Sequence, residues 1–186
     1  QRTQDRELKA FRDICDDLEI LEKYEIDIPF FTQIGASALT DKTIDVPTGG
    51  VEAGVPITYV PFRNGIFLSI TAAIAEKEGA TAMYIGVVQE DSSGYPDCTD
   101  EFIADMKKAI NQGTKKDTHI DILTPLVHLS KAQIVQEAMK LNVPLEHTWS
   151  CYKEEDEACG ICDSCRLRLN GFKLANQIDP IKYKAL

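Results

Sequence analysis

Residues 81–88 read Thr-Ala-Met-Tyr-Ile-Gly-Val-Val, a nearly continuous run of apolar and β-branched side chains. A strand with one solvated face alternates apolar and polar residues, whereas a strand covered on both faces is apolar throughout. This stretch therefore predicts a central strand of a parallel sheet. A second apolar run at residues 120–123 predicts another such strand, and a short strand is also predicted at residues 25–28.

Helical patterns lie between and around these strands. In each, apolar residues recur at three- and four-residue steps, or a recognisable cap marks an end: Gly79 is a typical C-cap, and Ser130 with Gln133 forms a capping box. Helices are predicted at residues 5–18, 65–78, 99–111, 130–141 and 165–176.

The alternation of apolar strands with helices predicts an α/β fold with a parallel, Rossmann-like sheet covered by helices on both faces. Residues 1–146 are expected to form a nucleotide and substrate domain. Residues 147–186, a metal knuckle and the last helix, should pack on that same domain. Residues 30–56 are irregular and rich in Gly, Thr and Pro, which is typical of a lid, a flexible excursion or a partner-binding arm, for example in a homodimer.

The composition and charge of the chain disfavour several classes of function. The chain has 186 residues, 44% of them hydrophobic, and a formal net charge of -10. Such acidity disfavours direct binding to nucleic acid, because a phosphate backbone needs a basic surface. No apolar run is long enough for a bilayer and no signal-peptide pattern is present, so a cytoplasmic protein is expected. Because the chain opens on Gln1 in helical sequence, a preceding segment is also expected.

The cysteines point to a metal site. Cys159, Cys162 and Cys165 form two overlapping Cys-x-x-Cys turns, and Cys151 can return as a fourth ligand. Four thiolates favour a closed, structural zinc site with no position for water. Two disulfides or an iron-sulfur cluster remain alternatives. Cys15 is predicted to be a small buried residue on a helix face.

Two polar segments follow apolar stretches that are interpreted as strands, at residues 59–61 and 84–88, and ligands of parallel sheets bind beyond such strand ends. Arg63 and Asn64 begin a helix, so free backbone amides and a guanidinium could hold phosphate or carboxylate; a capped helix with a surface arginine is the alternative. Residues 90–98 supply carboxylates, hydroxyls and a ring suited to a flat polar heterocycle, or else form a solvated turn. Cys98 is interpreted as pocket lining or packing rather than a nucleophile, because no histidine is near it in sequence.

Ordered motifs along nearly the whole chain resemble the 7-cyano-7-deazaguanine synthase family. They are Ser37-Ala38-Leu39-Thr40-Asp41, Tyr59-Val60-Pro61 with Arg63-Asn64, Gly86, Asp91-x-Ser93-Gly94-Tyr95-Pro96-Asp97-Cys98, Gly113-Thr114-Lys115, Thr124-Pro125-Leu126, and Trp149-Ser150-Cys151-Tyr152 through Cys165-Arg166.

The resemblance implies an ATP-pyrophosphatase (PP-loop) fold, similar to adenine nucleotide alpha hydrolases, and a role in queuosine biosynthesis. It implies activation of 7-carboxy-7-deazaguanine by ATP, with Mg²⁺, then amide formation with ammonia and a second activation that yields the nitrile. The four cysteines carry over as structural zinc ligands. The hypothesis for substrate binding names Arg63, Asn64, Asp91, Ser93, Tyr95 and Asp97, and Asp97→Ala is expected to abolish nitrile formation without unfolding.

One departure from the family concerns the phosphates of ATP. The family cradles them in a Ser-Gly-Gly-x-Asp-Ser loop near the N-terminus, and residues 1–186 contain no such string. Gly49-Gly50 lacks the serine and aspartate, so residues 1–186 alone are expected not to hydrolyse ATP, and residues that contact ATP are not assigned. Two alternatives are a different adenylating enzyme of this fold, such as a tRNA-thiolating or amide-forming ligase, and a non-enzymatic zinc-ribbon module.

Overall fold

The computed structural model describes residues 2–50, 54–88 and 94–184. In chain order, the helices are α1 (Gln4–Asp17), α2 (Phe30–Ile34), α3 (Arg63–Glu78), α4 (Asp100–Gly113), α5 (Lys131–Lys140) and α6 (Asp163–Leu174), and the strands are β1 (Ala82–Tyr84) and β2 (Asp121–Leu123). Short 3₁₀ turns lie at Pro96–Cys98 and Leu145–His147.

Two contact units divide the chain. Unit 1 comprises Gln1–Glu52, Ile57–Val60 and Lys131–Leu186, and unit 2 comprises Ala53–Pro56 and Pro61–Ser130. The domain boundary expected after residue 146 falls inside unit 1, so that division of the sequence stays a prediction.

Unit 2 contains the sheet. β1 and β2 pair in parallel with Met83 opposite Ile122, which confirms the predicted α/β fold with a parallel sheet. Both side chains are buried in one apolar core with residues of α3 and α4. The pairing extends past β1, because the amide of Ile85 donates to the carbonyl of Leu123 at 3.1 Å. The parallel pairing thus places α3 and α4 around one shared core.

The opposite face of these strands differs from the expectation. Tyr84 is 72% exposed and Leu123 is 37% exposed, although the apolar run predicted cover on both faces. No element among the described residues buries Tyr84. An apolar sequence reports which faces a strand can bury, and the neighbouring elements decide which faces it does bury.

Unit 1 is built on paired helices. α5 packs along α6, and Val135, Phe172 and Ala175 form a small core there. Gly171 permits the close approach, because a Cβ at that position would lie 2.8 Å from the Cβ of Lys131. Cys15 on α1 is buried, as its helix-face position predicts.

The predicted strand at residues 25–28 is wrong. Residues 25–28 form no regular structure and pair with no strand among the described residues, and Ile26 is 50% exposed. A strand requires ladder hydrogen bonds to a neighbour, so a β-rich pattern without a partner remains a loop.

The irregular region at residues 30–56 also contains more order than its composition suggests. It includes α2, and Ser37 and Ala38 are completely buried. The guanidinium of Arg2 donates to the carbonyls of Ala38 at 2.7 Å and Ile44 at 2.6 Å. These bonds anchor the segment from within unit 1. Across the described ranges, no helix combines the length and apolarity needed to cross a bilayer.

Candidate functional site

The four knuckle cysteines converge in unit 1. The sulfurs of Cys151, Cys159, Cys162 and Cys165 all lie within 4.8 Å of one another, and all four residues are buried. The Cys159 and Cys165 sulfurs are 4.0 Å apart. Zinc–sulfur bonds of about 2.3 Å in a tetrahedron require sulfur separations of about 3.8 Å. The cluster therefore has the size of a four-thiolate metal site.

Backbone amides point at two of these sulfurs. The amides of Lys153, Glu154 and Cys159 each donate to the sulfur of Cys151 at 3.4 Å. The amide of Cys162 donates to the sulfur of Cys159 at 3.4 Å, across a turn in which Gly160 adopts a φ of 72°. Amide donors stabilise thiolate, which is the form that binds metal.

The contacts among the sulfurs also shift the pKa values of individual thiols in opposite directions. The thiols of Cys162 and Cys165 donate to Cys151 and, with backbone amides, lower the pKa of Cys151. The reciprocal contacts and burial raise the pKa of Cys165. Four thiolates this close repel one another, so a bound divalent cation would stabilise them together. The cluster is compatible with structural zinc, and four protein ligands leave no open position for catalysis.

A polar network that the sequence did not reveal joins α6 to the residues that follow it in the chain. Arg168 and Asp179 form a two-pronged ion pair, at 2.6 Å from Nε to Oδ2 and 2.8 Å from Nη2 to Oδ1. Their side chains are only 12% and 3% exposed. The hydroxyl of Tyr183 donates a hydrogen bond to Asp179 at 2.7 Å. The pKa of Tyr183 is raised mainly by burial and, to a smaller extent, by this hydrogen bond. No local motif marks these residues, because they meet only after the chain turns back past α6.

The predicted substrate region lies in unit 2 and is centred on Asp97. This residue is 4% exposed, and its carboxylate accepts a hydrogen bond from the backbone amide of Asn64 at 2.9 Å. The side-chain amide of Asn64 donates in return to the carbonyl of Asp97 at 3.1 Å and to the sulfur of Cys98 at 3.2 Å. The structure thus brings together Asn64 and Asp97, which the sequence assigned separately.

This contact caps α3. The first amides of a helix lack intrahelical partners and carry partial positive charge, so a carboxylate is stabilised there. Phe62 precedes the helix in a left-handed conformation, with a φ of 54°. A Cβ at Gly65 would lie 2.4 Å from the Phe62 ring, so this glycine makes room for it. The helix start is therefore fixed by both a ring and a carboxylate.

The other predicted residues occupy varied positions. Arg63 is the first residue of α3 and is half-buried, and no ion pair of Arg63 is recorded within the described ranges. Tyr95 is half-buried against the core of unit 2. Asp91 and Ser93 fall outside the described residues. Arg63 and Tyr95 thus flank the contact between Asn64 and Asp97 in sequence.

Cys98 has the surroundings of a packing residue. It is 8% exposed and belongs to the core of unit 2. Its sulfur accepts a hydrogen bond from the side-chain amide of Asn64 at 3.2 Å. His128, also in unit 2, lies instead 3.0 Å from the carboxylate of Asp100.

Comparison with known proteins identifies close relatives. Residues 1–176 match the family described as queuosine biosynthesis protein QueC. A 7-cyano-7-deazaguanine synthase from Aliarcobacter butzleri is 86% identical over 99% of this chain and 81% of that protein. Proteins of the same name from Nautilia profundicola and Sulfurimonas denitrificans are 70% and 67% identical, over 99% and 98% of this chain and 83% and 82% of their own lengths. The similarity covers both the cysteine cluster and the contact between Asn64 and Asp97.

Proposed function

Because this chain belongs to the QueC family of queuosine biosynthesis proteins, we propose that it is an ATP-dependent 7-cyano-7-deazaguanine synthase. The family predicted from the sequence motifs is thereby confirmed. The substrates are 7-carboxy-7-deazaguanine, ammonia and ATP, and the product is the nitrile. A free carboxylate is a poor electrophile towards ammonia, so adenylation supplies the leaving group that permits amide formation. A second activation, at the amide oxygen, permits dehydration.

The hydrogen-bonded contact between Asn64 and Asp97 carries the proposed location of the substrate site. It joins the end of the motif at residues 91–98 to the start of α3, where Arg63 lies. A heterocycle with an attached carboxylate needs a planar contact for the ring and a cation for the acid. Tyr95 and Arg63, which lie near Asp97 and Asn64 in sequence, supply these two chemical types.

The roles follow from chemistry. Arg63 binds the substrate carboxylate or a nucleotide phosphate, because its guanidinium matches both in geometry and charge. Tyr95 provides a ring face and a hydroxyl. Asn64 and Asp97 form the polar wall of the pocket. Asp91 and Ser93 form hydrogen bonds to the ring nitrogens and exocyclic groups of the substrate base.

Cofactors and surroundings complete the proposal. Cys151, Cys159, Cys162 and Cys165 hold one zinc ion that braces unit 1 and takes no part in the reaction. Mg²⁺ accompanies ATP, as nucleotide phosphates require a counter-ion. In this proposal the enzyme acts on small molecules in the cytoplasm and not directly on nucleic acid or membranes, and residues 30–56 are the candidate arm of a homodimer.

An assay of nitrile formation tests the function. Protein purified from its native host is incubated with ATP, ammonia and 7-carboxy-7-deazaguanine, and the products are identified by mass. We expect the nitrile together with AMP. A parallel incubation with tRNA and a sulfur donor tests for a tRNA-thiolating ligase. Thiolated tRNA without nitrile would contradict the proposal.

A variant of Arg63 tests the site. Arg63→Ala should raise KM for ATP or the acid by about tenfold or more, which corresponds to about 1.4 kcal/mol of lost binding. Lys77→Ala is the matched control, because Lys77 lies on the same helix, near its other end, and is exposed. Equal kinetic constants for the Arg63→Ala and Lys77→Ala variants would remove Arg63 from the substrate site.

A further inference from the structure

The C-terminal segment, residues 179–184, packs on the loop that joins two cysteine ligands. Ala158 is completely buried and forms a parallel β-bridge with Tyr183. The amide of Ala158 donates to the carbonyl of Lys182, and the amide of Lys184 donates to the carbonyl of Ala158, both at 2.9 Å. Ala158 directly precedes Cys159. The segment thus restrains the backbone at one ligand.

Asp179 ties the start of the same segment to α6, the helix that carries Cys165. The carboxylate of Asp179 receives both prongs of Arg168 from α6, and it accepts the hydroxyl of Tyr183 and the amide of Ile181 at 3.2 Å. Ile181 is itself buried in the cluster formed around the cysteines. One buried carboxylate therefore orders the segment internally and ties it to α6.

Lys184 connects the end of the segment to Cys151. Its ammonium lies 2.7 Å from the carboxylate of Glu154, and the amide of Glu154 donates to the sulfur of Cys151. The hydrogen bond to Glu154 raises the pKa of Lys184, so this side chain stays positively charged beside the 151–159 loop. Four thiolates around Zn²⁺ carry a net charge of about -2, so an adjacent cation is favourable.

We propose that residues 179–184 form a clasp that retains the metal in the four-cysteine site. The inference rests on the proposed zinc binding and adds a role for residues that are not ligands. For the ion to leave, a cysteine must turn its sulfur away. The clasp opposes that motion, because it holds the 151–159 loop, whose amides are aimed at Cys151, against α6. Outer contacts that orient metal ligands typically change metal affinity by about 10–100-fold when removed.

The rate of zinc release tests the clasp. Zinc-loaded protein is mixed with an excess of a chromogenic chelator, and the absorbance of the zinc complex is followed. We expect Asp179→Asn to release zinc about tenfold faster than the unsubstituted protein, and Tyr183→Phe a few-fold faster, since it loses only one hydrogen bond to Asp179. Lys182→Ala is the matched control, because Lys182 lies in the same segment and is exposed.

Tyr183→Phe keeps the test usable if Asp179→Asn does not fold. It removes a single hydroxyl and leaves the ion pair of Arg168 and Asp179 intact. Cobalt substitution gives a second readout, with the four-sulfur charge-transfer bands expected to be unchanged in position. Release at the unsubstituted rate in both the Asp179→Asn and Tyr183→Phe variants would overturn the clasp while leaving the zinc site in place. Purified protein without any zinc would instead overturn the zinc proposal, and the clasp with it.

Discussion

The cysteine cluster and the contact between Asn64 and Asp97 are assembled from the chain in opposite ways. All four clustered sulfurs come from residues 151–165, and short turns bring them together. Asn64 and Asp97 are 33 positions apart and meet only through the packing of α3 against the turn at Pro96–Cys98. The comparison teaches that a site made within one segment can be interpreted from spacing, whereas a site made between segments depends on the core that aligns them.

The largest expected effect is on the cysteine side. Cys162→Ser should abolish stable zinc binding and give the largest fall in thermal midpoint, because structural zinc contributes about 10–16 kcal/mol of binding free energy in small peptides. Zinc content by metal analysis and the unfolding midpoint are the measurements. Cys15→Ser is the control, since Cys15 is also buried but lies outside the cluster. Equal zinc loss in the two variants would break the assignment of the ligands.

A smaller loss of stability is expected when the contact between Asn64 and Asp97 is removed. Asp97→Ala leaves the amide of Asn64 without its carboxylate, and an unpaired buried donor costs about 1–3 kcal/mol. Asp97→Asn keeps an oxygen acceptor for this amide, so it should lower the free energy of unfolding by less. Urea unfolding measures both. The sequence predicted loss of activity in the Asp97→Ala variant without unfolding, and the contact adds a loss of stability. Equal stability of the unsubstituted and Asp97→Ala proteins would show that the contact contributes nothing.

Packing at the start of α3 gives a third, still smaller effect. Gly65→Ala should destabilise by about 1 kcal/mol, because the new methyl group meets the ring of Phe62. Gly113→Ala, at the end of α4, meets nothing within 4 Å and should be neutral or slightly stabilising. Thermal midpoints of the two variants should therefore move in opposite directions or differ clearly. A neutral Gly65→Ala would mean that the Phe62 ring moves freely.

The smallest effect concerns an exposed ion pair between Lys107 of α4 and Asp121 of β2. The pKa of the Asp121 carboxyl is lowered, chiefly by the hydrogen bond from the ammonium of Lys107. The charge of His119 makes a smaller contribution in the same direction. A lowered folded-state pKa stabilises the protein at neutral pH, and this contribution is lost as the pH falls through that pKa. In an NMR titration, Lys107→Ala should raise the pKa of Asp121, while Lys108→Ala, whose partner is Asp105, should leave it unchanged. An unshifted Asp121 in the Lys107→Ala variant would show that the pair does not persist in solution.

The sequence by itself determined the parallel α/β fold, five of the six helices among the described residues to within a few positions at each end, and the four cysteines that cluster in unit 1. These are local properties: helix periodicity repeats every few residues, and a Cys-x-x-Cys turn constrains two sulfurs through its own backbone. The family motifs also follow from sequence order alone.

Only the tertiary structure decided which pairs meet. It left residues 25–28 without a strand partner, exposed Tyr84 on one face of β1 and joined Asn64 to Asp97. It also placed Asp179 between Arg168 and Tyr183. Each of these outcomes depends on what a distant segment offers at a given point in space. A pattern within one segment states which contacts are possible, and the packing of the whole chain selects among them.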